Sequence, residues 1–266
     1  MGNTVFEIPA TVTNLLNGKV VCVHAAMRSF HPRITPEALL NSLLGLGCTV
    51  LVPTFTYDLE QPAPPDAPAN NGWDYDAWQV QAHDKRWEPA LNQLSLADMG
   101  ALPAAVLARP GRVRGDHPLN SFAAIGPHAE IAAAQSARSV YAPLESVVTM
   151  GGKVILVGTS LTSTTMIHLA ESRAGRTLFL RWAHNSDGTR VACDTGSCSV
   201  AFDNFLDVVS MEADIMVGGS RWRILDAQHL LAEATEAILR DRAITSCGRA
   251  GCLRCRDALA GGPGSR

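Results

Sequence analysis

A chain of 266 residues has room for a sizeable core, and 47% hydrophobic against 18% charged residues excludes a disordered chain. A formal net charge of -3 excludes a general nucleic-acid binder, which carries a basic excess to neutralise phosphates. No apolar run reaches the ~18 residues of a membrane span. The first ten residues lack the basic-then-apolar pattern of a signal peptide, so the expected location is the cytoplasm, with no membrane partner.

Val20–Ala25 is a short valine-rich run and reads as a buried strand. Thr35-Pro36-Glu37 then opens a helix: Thr35 is the N-cap, Pro36 fits the first helical position, and Leu39, Leu40, Leu43 and Leu44 make one apolar face. Gly45 and Gly47 end it, and residues 48–53 form the next strand. Strand, helix and strand at this spacing predict a βαβ unit. Residues 57–90 carry Pro62, Pro64, Pro65, Pro68, Pro89 and Asn70-Asn71-Gly72, which exclude long regular elements. Trp73, Tyr75, Trp78 and Trp87 in the same stretch argue against disorder. It reads either as an ordered excursion over a ligand site or as a loop whose aromatics cap the core.

Further on, helices are expected over residues 102–109 and 130–136, a strand over 153–158, and a helix over 163–173 capped by Ser163 or Thr164. Residues 200–209 and 221–225 give weaker signals, and residues 227–239 form an amphipathic helix. No repeat or linker divides the chain. The expected fold is therefore α/β: a single domain, residues 1–266, with a central mixed, largely parallel sheet flanked by helices and an aromatic-rich insertion loop at 57–90.

Three groups of residues can carry chemistry. His168-Leu169-Ala170-Glu171 places an imidazole and a carboxylate three residues apart on one helix face. A carboxylate so placed orients the ring and stabilises its protonated form, which suits a general base; a surface pair with no role has the same spacing. Arg109, Arg112 and Arg114, with Gly111 and Gly115, make a compact basic turn that suits a phosphate or, equally, solvent. Cys247, Cys252 and Cys255 form a C-x4-C-x2-C segment within residues 247–257. With a fourth ligand, for which Cys193, Cys198 and His184 are available, they would make a tetrahedral structural zinc site; free thiols or a disulfide are the competing readings. Cys22 and Cys48 fall in predicted strands and read as core.

Taken in order, these segments resemble the aminoglycoside 3-N-acetyltransferase family. The matches are residues 21–28 (V-C-V-H-A-A-M-R), Val52-Pro53-Thr54-Phe55-Thr56, Asp98-Met99-Gly100, residues 110–118, residues 121–126 (S-F-A-A-I-G), and residues 146–158 leading into His168-Leu169-Ala170-Glu171. Ser197-Cys198 before Phe202, and residues 252–257, also look like the corresponding segments of some members. The resemblance spans roughly residues 20–260.

It implies an α/β fold distinct from the GNAT acetyltransferases, acetyl-CoA as cosubstrate, and transfer of acetyl to an amine, typically the 3-amino group of a 2-deoxystreptamine ring, as an antibiotic-resistance activity. It implies that His168 is the base and Glu171 its orienter. His24, Ala25, Ala26, Met27, Arg28, Met99, Gly100, Arg114, Gly115, His117 and Pro118, with Ser121 and Phe122, would line the coenzyme channel. Tyr57, Asp58, Asp74, Asp76 and Thr162 are the expected acceptor contacts, and Glu60 is a further acidic candidate. Partners are then a small-molecule amine and coenzyme A, with a monomer or homodimer. Three departures stand out: Ala25-Ala26 replaces a Ser-Ser pair common in the family, Ser160-Leu161-Thr162 stands where many members have His-Asp, and Arg114-Gly115 stands for Arg-Ser before the His-Pro pair. An N-acyltransferase of another amine and a silent ligand-binding relative are the alternatives within the same fold.

Overall fold

The computed structural model describes residues 6–72 and 81–260. In chain order the helices and strands are α1 (Ala10–Leu16), β1 (Val20–Ala25), α2 (Pro36–Gly45), β2 (Thr49–Pro53), β3 (Glu60–Gln61), α3 (Leu96–Met99), α4 (Ala101–Leu107), β4 (Val113–Arg114) and β5 (Phe122–Ile125). They continue with α5 (Ala142–Thr149), β6 (Lys153–Val157), α6 (Met166–Arg173), β7 (Phe179–His184), β8 (Arg190–Thr195), β9 (Ala213–Val217), β10 (Ser220–Asp226), α7 (Ala227–Arg240) and α8 (Leu253–Leu259).

Seven strands form one mixed sheet in the order β4-β5-β2-β1-β6-β10-β9. Parallel pairing holds at its centre, where β1 lies between β2 and β6. Both margins are antiparallel: β5 and β4 beyond β2, and β10 and β9 beyond β6. Every residue of β2 and β6 is buried, because helices cover both faces of the sheet. The two-residue period of the strands sorts side chains to the two faces. Val20, Cys22, Leu51, Val154 and Leu156 pack with Leu144, Val147, Ile167, Ala170 and Leu230 of α5, α6 and α7. Val21, Val23, Val50, Val52, Ile155 and Val157 pack with Leu16, Leu39, Leu43, Leu102 and Val106 of α1, α2 and α4.

The helix signals act as expected at α2, where Thr35 Oγ1 accepts from the Ala38 N–H at 3.1 Å and Pro36 occupies the first turn. They shift at α6. The helix begins at Met166, behind a 3-10 turn at Leu161–Ser163, and its N-cap Thr165 makes no side-chain bond. Residues 130–136 also depart from expectation: Ala129–Ala134 is 3-10 helix, and residues 200–209 hold only a short 3-10 turn at Phe202–Phe205. Residues 221–225 belong to β10.

A second, three-stranded sheet, β3-β7-β8, stands apart from the first. Its hairpin turns through Asn185-Ser186-Asp187-Gly188-Thr189, where Gly188 takes the left-handed conformation (φ +85). Leu59, Trp87, Leu119, Ala183 and Cys193 form the core beneath it. Trp87 of the proline-rich segment is thus a core residue: it is buried, donates from Nε1 to Asp116 Oδ1 at 2.8 Å, and lies under the Arg114 guanidinium. Among the described residues no helix is long and apolar enough to cross a membrane.

Candidate active site

In α/β sheets, ligand sites gather beyond the carboxyl ends of the parallel strands. Here a cavity of about 600 Å³ opens there. Val23, His24 and Ala25 line it from the end of β1, and Pro53, Phe55 and Tyr57 from the end of β2 and the chain beyond. Residues 162–165 and His168 line it from the turn after β6 and from α6. Met99, residues 195–197 at and beyond the end of β8, and Arg254 of α8 complete much of the wall.

His168 and Glu171 lie on one face of α6, as their spacing predicts. His168 Nδ1 is 2.8 Å from Glu171 Oε2. The same carboxylate oxygen accepts from Ser197 Oγ at 2.7 Å, and Oε1 accepts from Arg176 Nη1 at 2.5 Å. A carboxylate only 3% exposed therefore has three donors. Burial would raise its pKa, but the hydrogen bond and charge of His168, the Ser197 hydroxyl and the Arg176 charge together hold it below the usual range. An ionised Glu171 accepts from Nδ1–H, so the neutral His168 carries its lone pair on Nε2. Phe202 meets the His168 ring edge-on at 4.8 Å, and Tyr141 lies nearly parallel to it at 6.4 Å. Gly196 passes against both: a Cβ there would come within 2.7 Å of the His168 ring and of Tyr141 Oη.

Arg176 is itself held by its neighbours. Nη1 also donates to Thr245 Oγ1 at 2.7 Å, and Nη2 to the Arg242 carbonyl at 2.6 Å. Nothing in the sequence marks Arg176 or Tyr141 for a role, and Ser197 enters only through the resemblance of Ser197-Cys198. Arg176 follows α6 by three residues, while Ser197 and Tyr141 come from segments remote from it in the chain.

The expected coenzyme residues divide. His24, Ala25 and Met99 line the cavity, and Ala26, Met27, Arg28 and Gly100 are their immediate neighbours in the chain. The Ala26 N–H is already bonded to the Val157 carbonyl at 2.8 Å. Arg114, Gly115, His117, Pro118, Ser121 and Phe122 are not part of the cavity lining. The Arg114 guanidinium is committed to Ser121 Oγ and to the carbonyls of Thr54, Leu91 and Gln93, so it braces the chain rather than meeting solvent. A side chain at Gly115 would strike Gln135 and the Ala132 carbonyl, which explains the glycine by packing. Ser121 Oγ donates to the Thr54 carbonyl at 2.8 Å, and Phe122 is a core residue. His117 is fully buried: Nε2 donates to the Asp194 carbonyl at 2.9 Å, and Nδ1 accepts from the Leu119 and Asn120 N–H groups.

Of the expected acceptor contacts, Tyr57 and Thr162 line the cavity, as does Glu60. Asp58 does not; it pairs with Lys85 at 3.1 Å on the surface. Asp74 and Asp76 lie outside the described residues. Glu60 is 3.2 Å from Arg181 Nε, and Asp98 brings a further carboxylate to the lining.

The sulfur atoms of Cys198, Cys247, Cys252 and Cys255 all lie within 4.8 Å of one another, with Cys247 and Cys255 at 3.5 Å. Tetrahedral zinc with Zn–S bonds of about 2.3 Å needs sulfurs about 3.8 Å apart, so the donor set fits that ion. All four are free thiols in this structure. Cys198 is the fourth member of the cluster; Cys193 is buried under the hairpin, and His184 lies at the end of β7.

Sequence and structure comparisons are consistent with one another. The profile of the family described as aminoglycoside 3-N-acetyltransferase matches residues 22–239. Aminoglycoside N(3)-acetyltransferase VII of Streptomyces paromomycinus is 28% identical over 276 residues, covering 93% of this chain and 82% of that relative. A variant of aminoglycoside acetyltransferase AAC(3)-IVa, solved with gentamicin, superposes with a TM-score of 0.73 at 24% identity, over 98% of this chain and 99% of that one. AAC-IIIb, solved as a binary complex with CoASH, gives 0.65 at 22% identity, over 86% and 92%.

The two buried histidines predict a pH dependence of stability. Burial lowers the pKa of both His24 and His117 from 6.5 to about 4. Between those values the unfolded chain binds protons that the folded chain does not, so stability falls with acidification. The expected slope is about 1.4 kcal/mol per pH unit for each histidine, flattening for these groups below the folded value. Urea unfolding at pH 7.5, 6 and 5 checks this; a flat profile would contradict the neutral, buried assignment.

Proposed function

The chain belongs to the aminoglycoside 3-N-acetyltransferase family and is an acyltransferase, and from that premise we propose that it transfers acetyl from acetyl-CoA to the 3-amino group of an aminoglycoside, conferring resistance, with His168 as general base. The observation that carries this reading is the Glu171–His168 pair at the cavity wall. Glu171 takes Nδ1–H and leaves Nε2 as the available lone pair. As the acceptor nitrogen attacks the thioester carbonyl, a C–N bond forms and Nε2 takes the nitrogen's proton. When the C–S bond breaks, that proton passes to the departing thiolate. Glu171 stabilises the imidazolium between the two transfers. Arg176 and Ser197 keep Glu171 ionised and fixed throughout.

His24, Ala25 and Met99 are the coenzyme side of this reading, and Tyr57, Glu60, Asp98 and Thr162 the acceptor side. The carboxylates suit ammonium groups. One feature favours a second reading, acetylation of a less cationic amine: Arg181 and Arg254 share the lining with Glu60 and Asp98, and Thr162 supplies no charge.

His168→Ala is expected to lower acetyl transfer ~10²–10⁴-fold in a thiol-release assay with acetyl-CoA and gentamicin, with little change in melting temperature. Glu171→Gln is expected to lose less activity and more stability, because it leaves Arg176 buried without its counter-charge; breaking such a pair costs about 3–5 kcal/mol. An His168→Ala variant of near wild-type rate would refute the assignment of the base.

The thiol cluster supports a structural zinc site of Cys198, Cys247, Cys252 and Cys255. Bound there, the ion would staple the segment after β8 to the C-terminal segment; both also reach Glu171, through Ser197 directly and through Thr245 by way of Arg176. About one zinc per chain is expected by elemental analysis, and chelation should lower the melting temperature. Metal-free protein of unchanged stability would dispose of the site.

A further inference from the structure

A buried polar atom without a partner costs stability, so its position asks for an explanation. Two such atoms belong to residues of the cavity wall: Tyr141 Oη and Thr164 Oγ1. The side chains that carry them are 4% and 1% exposed, and they come from unrelated segments, the N-cap of α5 and the turn before α6. The Tyr141 ring lies 6.4 Å from that of His168, and Thr164 belongs to the turn that leads into α6, where the Ile167 N–H donates to its carbonyl at 3.1 Å.

Tyr141 is held firmly. Its carbonyl accepts from the Leu144 and Glu145 N–H groups at the start of α5, and its ring belongs to the core cluster beside α6. Burial, then the charges of Glu171, Tyr57 and Asp194, keep its phenol well above the ordinary range, so the group is a donor at neutral pH. Tyr57 follows β2 and lines the cavity, and Asp194 lies in β8. Gly196 is part of the same arrangement, since any side chain there would occupy the space next to Tyr141 Oη.

We infer that Tyr141 is a positioning residue for the acceptor, its hydroxyl hydrogen-bonding a hydroxyl or amine of a polyhydroxylated amine substrate beside His168, with Thr164 as a second contact of the same kind. This rests on the acetyltransferase reading. It adds a specificity element: an acceptor that fills the wall but lacks the polar group leaves the phenol unpaired and is discriminated against.

Tyr141→Phe removes the hydroxyl and keeps the ring. With gentamicin as acceptor, its KM is expected to rise about 2- to 12-fold, the loss of one neutral hydrogen bond. Because that contact holds the substrate and not the transition state alone, kcat and the KM for acetyl-CoA should stay within about 2-fold. The melting temperature of the unliganded variant should equal or exceed that of the wild type, because an unpaired buried group has been removed. Thr164→Val should behave alike. An unchanged gentamicin KM overturns the inference, as does a rise confined to acetyl-CoA or a melting temperature that falls in both variants. A wild-type protein that acetylates no amine instead fails the proposed function itself, and the inference with it.

Discussion

Glu171 carries the arrangement at the site. A carboxylate this deeply buried is stable as an anion only when its oxygens are met by donors and an opposite charge. The fold supplies His168 from the same helix, Arg176 just beyond that helix, and Ser197 from the segment after β8. Arg176 is held in turn by Thr245 and Arg242. The imidazole is thereby fixed in ring orientation and tautomer by groups that do not themselves line the reaction space, apart from Ser197.

The sheet explains why this happens where it does. β1, β2 and β6 run parallel and end together, and the chain leaving β6 must turn before α6 can cover the sheet. That turn delivers residues 162–165 and His168 to the same rim as His24 and Pro53. The antiparallel margins and the hairpin then wall the rim. Arg114 and His117 belong to this support: their polar atoms knit the β4–β5 region to the chain around Thr54 and to β8.

Much of the fold was legible because its signals are local. Residues 20–23 and 154–157 are continuous apolar runs, and Thr35-Pro36 is a cap whose partners lie within one turn. The His168–Glu171 pair was legible for the same reason, since helical spacing alone puts the two on one face. The coenzyme role of Arg114, His117 and Ser121 comes from the family resemblance alone; composition leaves the basic turn open to a phosphate or to solvent, whereas burial, a tertiary property, turns these polar groups inward. Ser197 and Tyr141 act across long sequence separations, and Arg176 reaches Glu171 from beyond the end of the helix, so none leaves a periodic trace. The β7–β8 hairpin did leave one, Asp187-Gly188 between two short strands, a turn signal available in the sequence. Cys198 sits between these cases: it was among the cysteines available as a fourth ligand, but only the fold selects it over Cys193.

With Glu171 on Nδ1, Nε2 is the basic nitrogen of the neutral His168 ring. Nitrogen NMR of the isotopically labelled protein, with His168 assigned by the His168→Ala spectrum and the ring in its neutral form, measures this directly. The expected result is a proton on Nδ1 and an unprotonated Nε2, with Glu171→Gln disturbing that preference. A neutral His168 that carries its proton on Nε2 would contradict it.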